Sequence, residues 1–329
     1  MKKILILIIS AVLFFNLTAC KNNSKEDNNN VPGTTINIAS MKGPTSIGLV
    51  KLYSDSDNGS THNQYNYNIY GAADEITGGL IKGEIDVAAV PANLASVLFN
   101  KTKGGIITAG INTLGVTYVL TTDPDITELE DLKGKTIYAT GQGTTPEYTL
   151  RHILESNDID TDKDVNLQYY KEGSEVVANA SLADNPVIML PQPYATIAMN
   201  QIPDCHIAID LNKEWSKIAP DSNIVTGVIV VRKEFLDNNK EAFDKFLDEY
   251  RKSTEFANDN IEECAELLEK HDIFKAAIAK KAIPYCNVTL ITGDNMKSQL
   301  IPYLQVLFEA NPASVGGALP DDTGFYINQ

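Results

Sequence analysis

The stretch YNYNIYGAADEITGGLIKGEIDVAAV, residues 65–90, decides the fold because its pattern changes twice. Tyr65–Tyr70 reads as a strand, Ala73–Lys82 as a helix, and Asp86–Val90 as a short apolar strand buried on both faces. The same alternation extends outward in both directions. Upstream, Ile36–Ser40 is expected to be a strand and Thr45–Asp55 a helix; downstream, Ala92–Asn100 is expected to be a helix and Gly105–Asn112 a strand. Such β-α-β-α order predicts crossovers that return each strand parallel to the last, hence a mainly parallel sheet flanked by helices.

A second unit of the same kind begins near Leu132-Lys133-Gly134-Lys135. It has predicted strands at Thr136–Ala139, Val165–Tyr169 and Val187–Leu190, and helices at Pro146–Ser156, Ser174–Ala180 and Tyr194–Asn200. Beyond it, the apolar run Thr226–Val231 precedes a helical region, Lys240–Lys270, whose Phe243, Phe246, Leu247 and Tyr250 recur at helical spacing. Ile273–Ile283 and Asp294–Ala310 complete a C-terminal part read as helices with no sheet of their own. The economical arrangement is two lobes: residues 34–121 with 227–329 form lobe 1, and residues 122–226 form lobe 2. Two segments then cross between lobes. The cleft lies where the carboxyl ends of both sets of strands face each other.

The N-terminus specifies export. Lys2 and Lys3 precede an apolar stretch, Ile4–Leu17, that runs into Leu17-Thr18-Ala19-Cys20. A permanent span needs roughly 20 predominantly apolar residues, and this stretch is shorter and interrupted by Ser10 and Asn16. Residues 1–19 are therefore read as a cleavable signal peptide. The polar run from Lys21 to Asn30 has nothing to bury, so residues 20–33 are expected to be a flexible tether.

The formal charge is −16, and more negative once Lys2 and Lys3 are removed, so the chain repels nucleic acid and anionic surfaces. Besides Cys20 there are Cys205, Cys264 and Cys286, none with the spacing of a metal site; no metal or cofactor is expected. A Cys264–Cys286 disulfide would suit an oxidising compartment, while buried free thiols are the plainer reading.

Candidate binding groups sit in the loops after strands. Met41, Lys42, Gly43, Pro44 and Thr45 lead into the first helix, where Thr45 or Ser46 is placed to cap free backbone amides. Gly43 and Gly48 have the glycine spacing of a P-loop, but Leu49 and Val50 stand where lysine and Ser/Thr must be, so nucleotide hydrolysis is excluded. In lobe 2 the matching loop carries Gln142, Thr144 and Thr145, with Pro146 suited to a first helical turn and standing where a dinucleotide fingerprint needs glycine. Asn93, Asn112, Thr113, Gln192, Tyr194 and Thr226 add polar groups at other strand ends. Each is also ordinary turn chemistry, and their coincidence at strand ends is what favours a site. Lys42 is the sole basic residue in these loops, which favours a neutral, singly charged or heterocyclic ligand over a doubly charged oxyanion. The four histidines are scattered, with His152 and His271 expected on helix surfaces, and no nucleophile–base arrangement appears; no catalytic residue is expected.

The order of several soft motifs resembles the ABC-transporter solute-binding proteins of the nitrate, sulfonate, taurine and thiamine-precursor uptake family. The likeness is carried by Met41-Lys42-Gly43-Pro44-Thr45, by Gly83-Glu84-Ile85-Asp86-Val87-Ala88-Ala89-Val90-Pro91, by Asp131-Leu132-Lys133-Gly134-Lys135-Thr136 and by Leu190-Pro191-Gln192-Pro193. Val225–Arg232 and Ala282-Ile283-Pro284-Tyr285-Cys286 extend it. Leu17-Thr18-Ala19-Cys20 resembles a lipobox, which implies a lipidated Cys20 and an anchor on the outer face of the bacterial cytoplasmic membrane, at the cell surface or in the periplasm. The resemblance implies a type II periplasmic-binding-protein fold, a monomer without catalysis, a small-molecule ligand, and an ABC permease with its ATPase as partners. The ligand class it implies is a thiamine-precursor-like heterocycle or a sulfonate-like compound. The alternative is a surface-anchored enzyme on the same fold. The family's pyrimidine-synthesising relative depends on a cysteine cluster that Cys205, Cys264 and Cys286 do not form.

Overall fold

A computed structural model describes residues 33–321 and 324–327; the signal segment, Cys20 and the tether up to residue 32 lie outside the described residues. The chain opens with β1 (Thr35–Met41), α1 (Val50–Asp57), β2 (Gln64–Tyr70), α2 (Ala73–Lys82), β3 (Val87–Pro91), α3 (Ala92–Thr102) and β4 (Ile106–Leu114). The second group comprises β5 (Thr117–Thr121), β6 (Thr136–Thr140), α4 (Thr145–Glu155), β7 (Asn166–Tyr170), α5 (Gly173–Ala180), β8 (Val187–Pro191), α6 (Tyr194–Gln201), β9 (His206–Asp210) and α7 (Leu211–Ile218). The chain returns through β10 (Val225–Arg232), α8 (Lys233–Asn238), α9 (Lys240–Asp259), α10 (Ile261–Lys270), α11 (Ala276–Ala282), β11 (Val288–Ile291) and α12 (Gly293–Ala310).

Two sheets result, ordered β11-β4-β10-β3-β1-β2 and β7-β6-β8-β5-β9. The expected parallel order holds for β3-β1-β2 and for β7-β6-β8. The strands that come after each crossing, β5 and β10, insert antiparallel into mid-sheet, so both sheets are mixed. This also moves the lobe boundary. Thr117–Thr121 pairs with β8 and β9, so lobe 2 begins directly after Gly115-Val116 and not after Thr121. Val225 already pairs with Leu114, which puts Thr226 in the first sheet.

Local chemistry explains the ends of α2. Asp74 and Glu75 lie in its first turn and Lys82 in its last, each favourable to the helix dipole. Gly83, at φ 79°, adopts the left-handed conformation that closes it. The predicted helix Lys240–Lys270 is broken at Asn260, whose φ of −125° and ψ of 58° leave the helical region while its N–H still bonds the Phe256 carbonyl. The C-terminal part does supply a strand: β11 joins β4 at the sheet edge, but over four residues with a register shift, too little for a period to show.

A buried ion pair locks the first sheet together. Asp86, 5% exposed, accepts from the backbone N–H and side-chain amide of Asn37 at 3.0 and 2.9 Å, and from Arg232 Nη2 at 2.9 Å. The chain before β3 is thereby tied to β1 and to the end of β10.

Between the lobes, one side chain touches both crossings. Asn212, at the start of α7, accepts the Ile224 N–H at 3.2 Å and packs on Gly115 so closely that a Cβ there would meet it at 2.8 Å. Helix α12 also spans the boundary: Ser222 Oγ donates to the Gln299 carbonyl at 3.0 Å, and the Tyr303 ring meets Trp215 of α7 edge-on at 5.4 Å. Its residues are assigned to lobe 1 by the sequence, and it packs on α4 of lobe 2 as well.

The three described cysteines are free and buried. Burial pushes the Cys264 thiol up to about 12 and Cys205 up to about 11, which disfavours the reactive thiolate form.

Candidate functional site

Where the two sheets face each other lies a cavity of about 250 Å³. Its wall is drawn from the carboxyl ends of β1, β3 and β8 (Met41, Pro91, Pro191) and, because β5 and β10 run the other way, from their amino ends (Thr117, Val225 and Thr226). Lobe 1 adds Lys42, Gly43, Pro44, Thr45, Ala92 and Asn93. Lobe 2 adds Thr145, Pro146 and Thr149 of α4 and Leu211 of α7, while Val116 and Ile224 come from the two crossings and Tyr303 from α12. The wall is mainly apolar with a few hydroxyl and amide groups, the usual make-up of a small-molecule pocket.

The first loop is held from behind. Gly43, at φ 154° and ψ −171°, adopts a conformation close to glycine-only and turns the chain off β1. A 3-10 turn, Pro44–Leu49, then leads into α1, and neither Thr45 nor Ser46 caps it; Ser46 Oγ donates back to the Met41 carbonyl. The Thr45 carbonyl accepts Asn112 Nδ2 at 2.9 Å, and Gly227 of β10 lies flush beneath, since a Cβ there would stand 2.4 Å from Thr45 Cγ2. Asn112 is 1% exposed and so supports the loop from the core instead of facing the cavity.

In lobe 2, Thr144 stands at the N-cap position of α4, but its hydroxyl donates to the Gly141 carbonyl. Pro146 occupies the first turn as expected. Glu147 covers this helix start: its carboxylate accepts the Gly143 N–H at 2.6 Å and Arg151 Nε at 2.8 Å. Thr149 Oγ1 lies 3.5 Å from Tyr303 Oη, and burial pushes that phenol well above its ordinary range, so it stays neutral.

Of the residues proposed from sequence, Met41, Lys42, Gly43, Pro44, Thr45, Asn93, Thr145 and Thr226 share this cavity. Asn93 also spends its amide nitrogen on the Ser314 carbonyl at 3.0 Å. The others lie elsewhere. Thr113 is fully buried within β4, Gln192 is buried with its carbonyl on Thr196, and Tyr194 covers Gly173. Gln142 and Thr144 are exposed at the loop tip. Thr149, one helical turn past Thr145, was within reach of periodicity; Tyr303, far along the chain on α12, carried no signal that would place it here.

His152 and His271 are half-buried, not surface residues as expected. His152 packs on Trp215 at 5.1 Å and His271 on Tyr53 and Tyr67 at 6.0 and 5.7 Å.

Residues 106–264 match the family model described as NMT1/THI5 like. Solved structures match over most of the chain. An ABC transporter protein of Parabacteroides distasonis is 24% identical with a TM-score of 0.75, covering 90% of this chain and 99% of its own. The periplasmic aliphatic sulphonate binding protein of Escherichia coli is 14% identical with a TM-score of 0.68, covering 90% and 94%. The chain adopts the two-lobed periplasmic-binding-protein fold. The periplasmic nitrate-binding protein of Synechocystis shares this binding-protein fold at 14% identity and a TM-score of 0.56, covering 88% and 83%. No match to a curated protein was found. In the binding-protein fold the cavity between the lobes occupies the crevice outside the strand ends, where ligands of open α/β sheets sit.

Proposed function

We propose that this chain is the extracytoplasmic solute-binding component of an ABC importer. The observation that carries the reading is one cavity of about 250 Å³ walled by strand ends from both sheets and by both crossings. A solute held there touches both lobes, so its binding energy favours the conformation in which they approach, and a permease that recognises this form reads occupancy as shape. Thr45, Asn93 and Thr226 on one side and Thr145 and Thr149 on the other offer the hydrogen-bonding groups; Met41, Val116, Leu211 and Ile224 offer apolar contact. Gly43, Pro44 and Asn112 act as the frame.

The neighbouring structures are named for sulphonate and nitrate binding, and the sequence resemblance implies a thiamine-precursor-like heterocycle, so small heterocycles and small oxyanions form the first ligand panel. The reading includes a lipid anchor at Cys20 that keeps a monomer near its permease and ATPase at the outer face of the membrane. The enzymatic alternative draws no support from the cavity wall, where Lys42 is the one charged residue among the described residues and no nucleophile–base pair stands.

The test is thermal unfolding of the purified chain against that panel. A solute of this site raises the midpoint increasingly with concentration and is recovered unchanged. Consumption of the compound would replace this reading with the enzymatic one.

A further inference from the structure

We infer that the cleft selects an uncharged solute, and that Asp272, which does not itself line the cavity, enforces the selection by occupying Lys42. The inference rests on the solute-binding reading above and concerns what charge the site accepts.

Two of the features that would give this cleft positive potential are answered by a carboxylate of the chain. One is Lys42, the single charged residue of the wall among the described residues. Its ammonium is engaged by the carboxylate of Asp272, in the loop between α10 and α11, at 2.5 Å. Lys42 in turn holds the Asp272 carboxyl below its usual range, so the partner remains an anion through the neutral pH range. The other feature is the start of α4, where the N–H groups of a helix normally welcome an anion. There the Glu147 carboxylate, itself held by Arg151, accepts the Gly143 N–H of the loop just before the helix and so places a negative charge beside its start. Lys42 and the loop before α4 therefore each carry a carboxylate from the protein itself, whereas the start of α3, whose Ala92 and Asn93 line the wall, carries none among the described residues.

An anionic solute entering this cavity would lose hydration against Met41, Val116, Leu211 and Ile224 and find no unengaged cation in return. It would also approach the carboxylate paired with Lys42, in a chain whose formal charge is −16. An uncharged solute loses little on entering an apolar wall, and threonine hydroxyls both donate and accept toward its polar edge. Asp272 is thus a specificity-determining residue acting through Lys42. The pair is exposed, with side chains 43% and 85% accessible, so replacing either partner leaves folding nearly unchanged.

The experiment compares the wild-type chain, Asp272→Asn, Lys42→Met and the double variant by calorimetry. The probes are matched uncharged and anionic compounds: benzamide with benzoate, pyrimidine-5-methanol with pyrimidine-5-carboxylate, and benzenesulfonamide with benzenesulfonate. The wild type should bind uncharged members more tightly than their anions. Asp272→Asn should tighten anion binding about tenfold, the scale of one unit charge a few ångströms away at a protein surface, and shift the uncharged members less than about threefold. Lys42→Met should cancel that gain in the double variant, and raised salt should shrink it. A wild type that prefers the anions, or an Asp272→Asn variant with unchanged anion affinity, overturns the inference and leaves solute binding standing. Failure of every probe to bind the wild type counts against both.

Discussion

Gly227→Ala probes the link between the central strand of the first sheet and the binding loop. The added methyl would stand 2.4 Å from Thr45 Cγ2 and 2.5 Å from Asn112 Oδ1, where ordinary contacts begin at 3.4 Å, so something must retreat by about an ångström. Asn112 is 1% exposed and has no free space; the Thr45 side chain borders the cavity and does. The loop therefore moves toward the ligand, against the 2.9 Å bond from Asn112 to the Thr45 carbonyl. Overpacking of this kind costs about 1–3 kcal/mol. At roughly 2–3 °C per kcal/mol for a chain of this length, the unfolding midpoint should drop by about 2–9 °C. Calorimetric melts of the apo protein read the stability, and titration with whichever solute binds reads the cleft, where affinity should fall about tenfold or more. Thr45→Ser deletes the clashing methyl and should restore part of both in the double variant, a coupling above about 0.5 kcal/mol. A Gly227→Ala protein as stable as wild type, or a double variant with purely additive losses, would refute the idea that Gly227 is kept small for Thr45.

Asp86→Ala strips a buried partner from Arg232 and two bonds from Asn37, so urea denaturation should show about 3–5 kcal/mol lost, whereas an exposed pair such as Lys233–Asp237 should cost under about 1 kcal/mol when broken. Thr145→Phe should abolish ligand-induced stabilisation by filling the cavity with little change in the apo melt, while Thr144→Phe, on the exposed side of the loop, should leave binding intact; equal effects from the two would misplace the site. Burial lowers the pKa of His271 and of His152, with Lys270 adding to the first and nearby carboxylates opposing in both. The folded state thus prefers neutral rings, and their contribution is complete above the unfolded value of about 6.5 and lost as pH falls through the folded values. Denaturation free energy should decline from about pH 7 to pH 5, and the decline should be shallower in His271→Phe; an unchanged slope would discount that ring.

Much of the frame was legible because strands such as Val87–Pro91 and Val187–Pro191 are short apolar runs between amphipathic helices, and burial on both faces leaves no other pattern. Thr117–Thr121, as long as those strands, escaped because its pairing with β8 and β9 is decided by partners some 70 to 90 residues away. In the site, the glycine–proline turn at Gly43-Pro44 and the Thr145-Pro146 helix start were readable from turn and cap chemistry. Asn112 and Thr113 were not separable from cavity residues, since a polar residue at a strand end faces the core or the ligand according to register. Asp272 is invisible to any local reading, lying 230 positions from the lysine it holds.

Asn212 has a mechanical consequence. A clamp hung on two independent straps can shear or twist as well as shut, and its jaws then meet in many alignments. Here one amide side chain bonds Ile224 on one strap and packs on Gly115 of the other, so the two straps share a contact. In a clamp that shuts on a guest, as proposed above, such a shared contact favours one arc of travel over many.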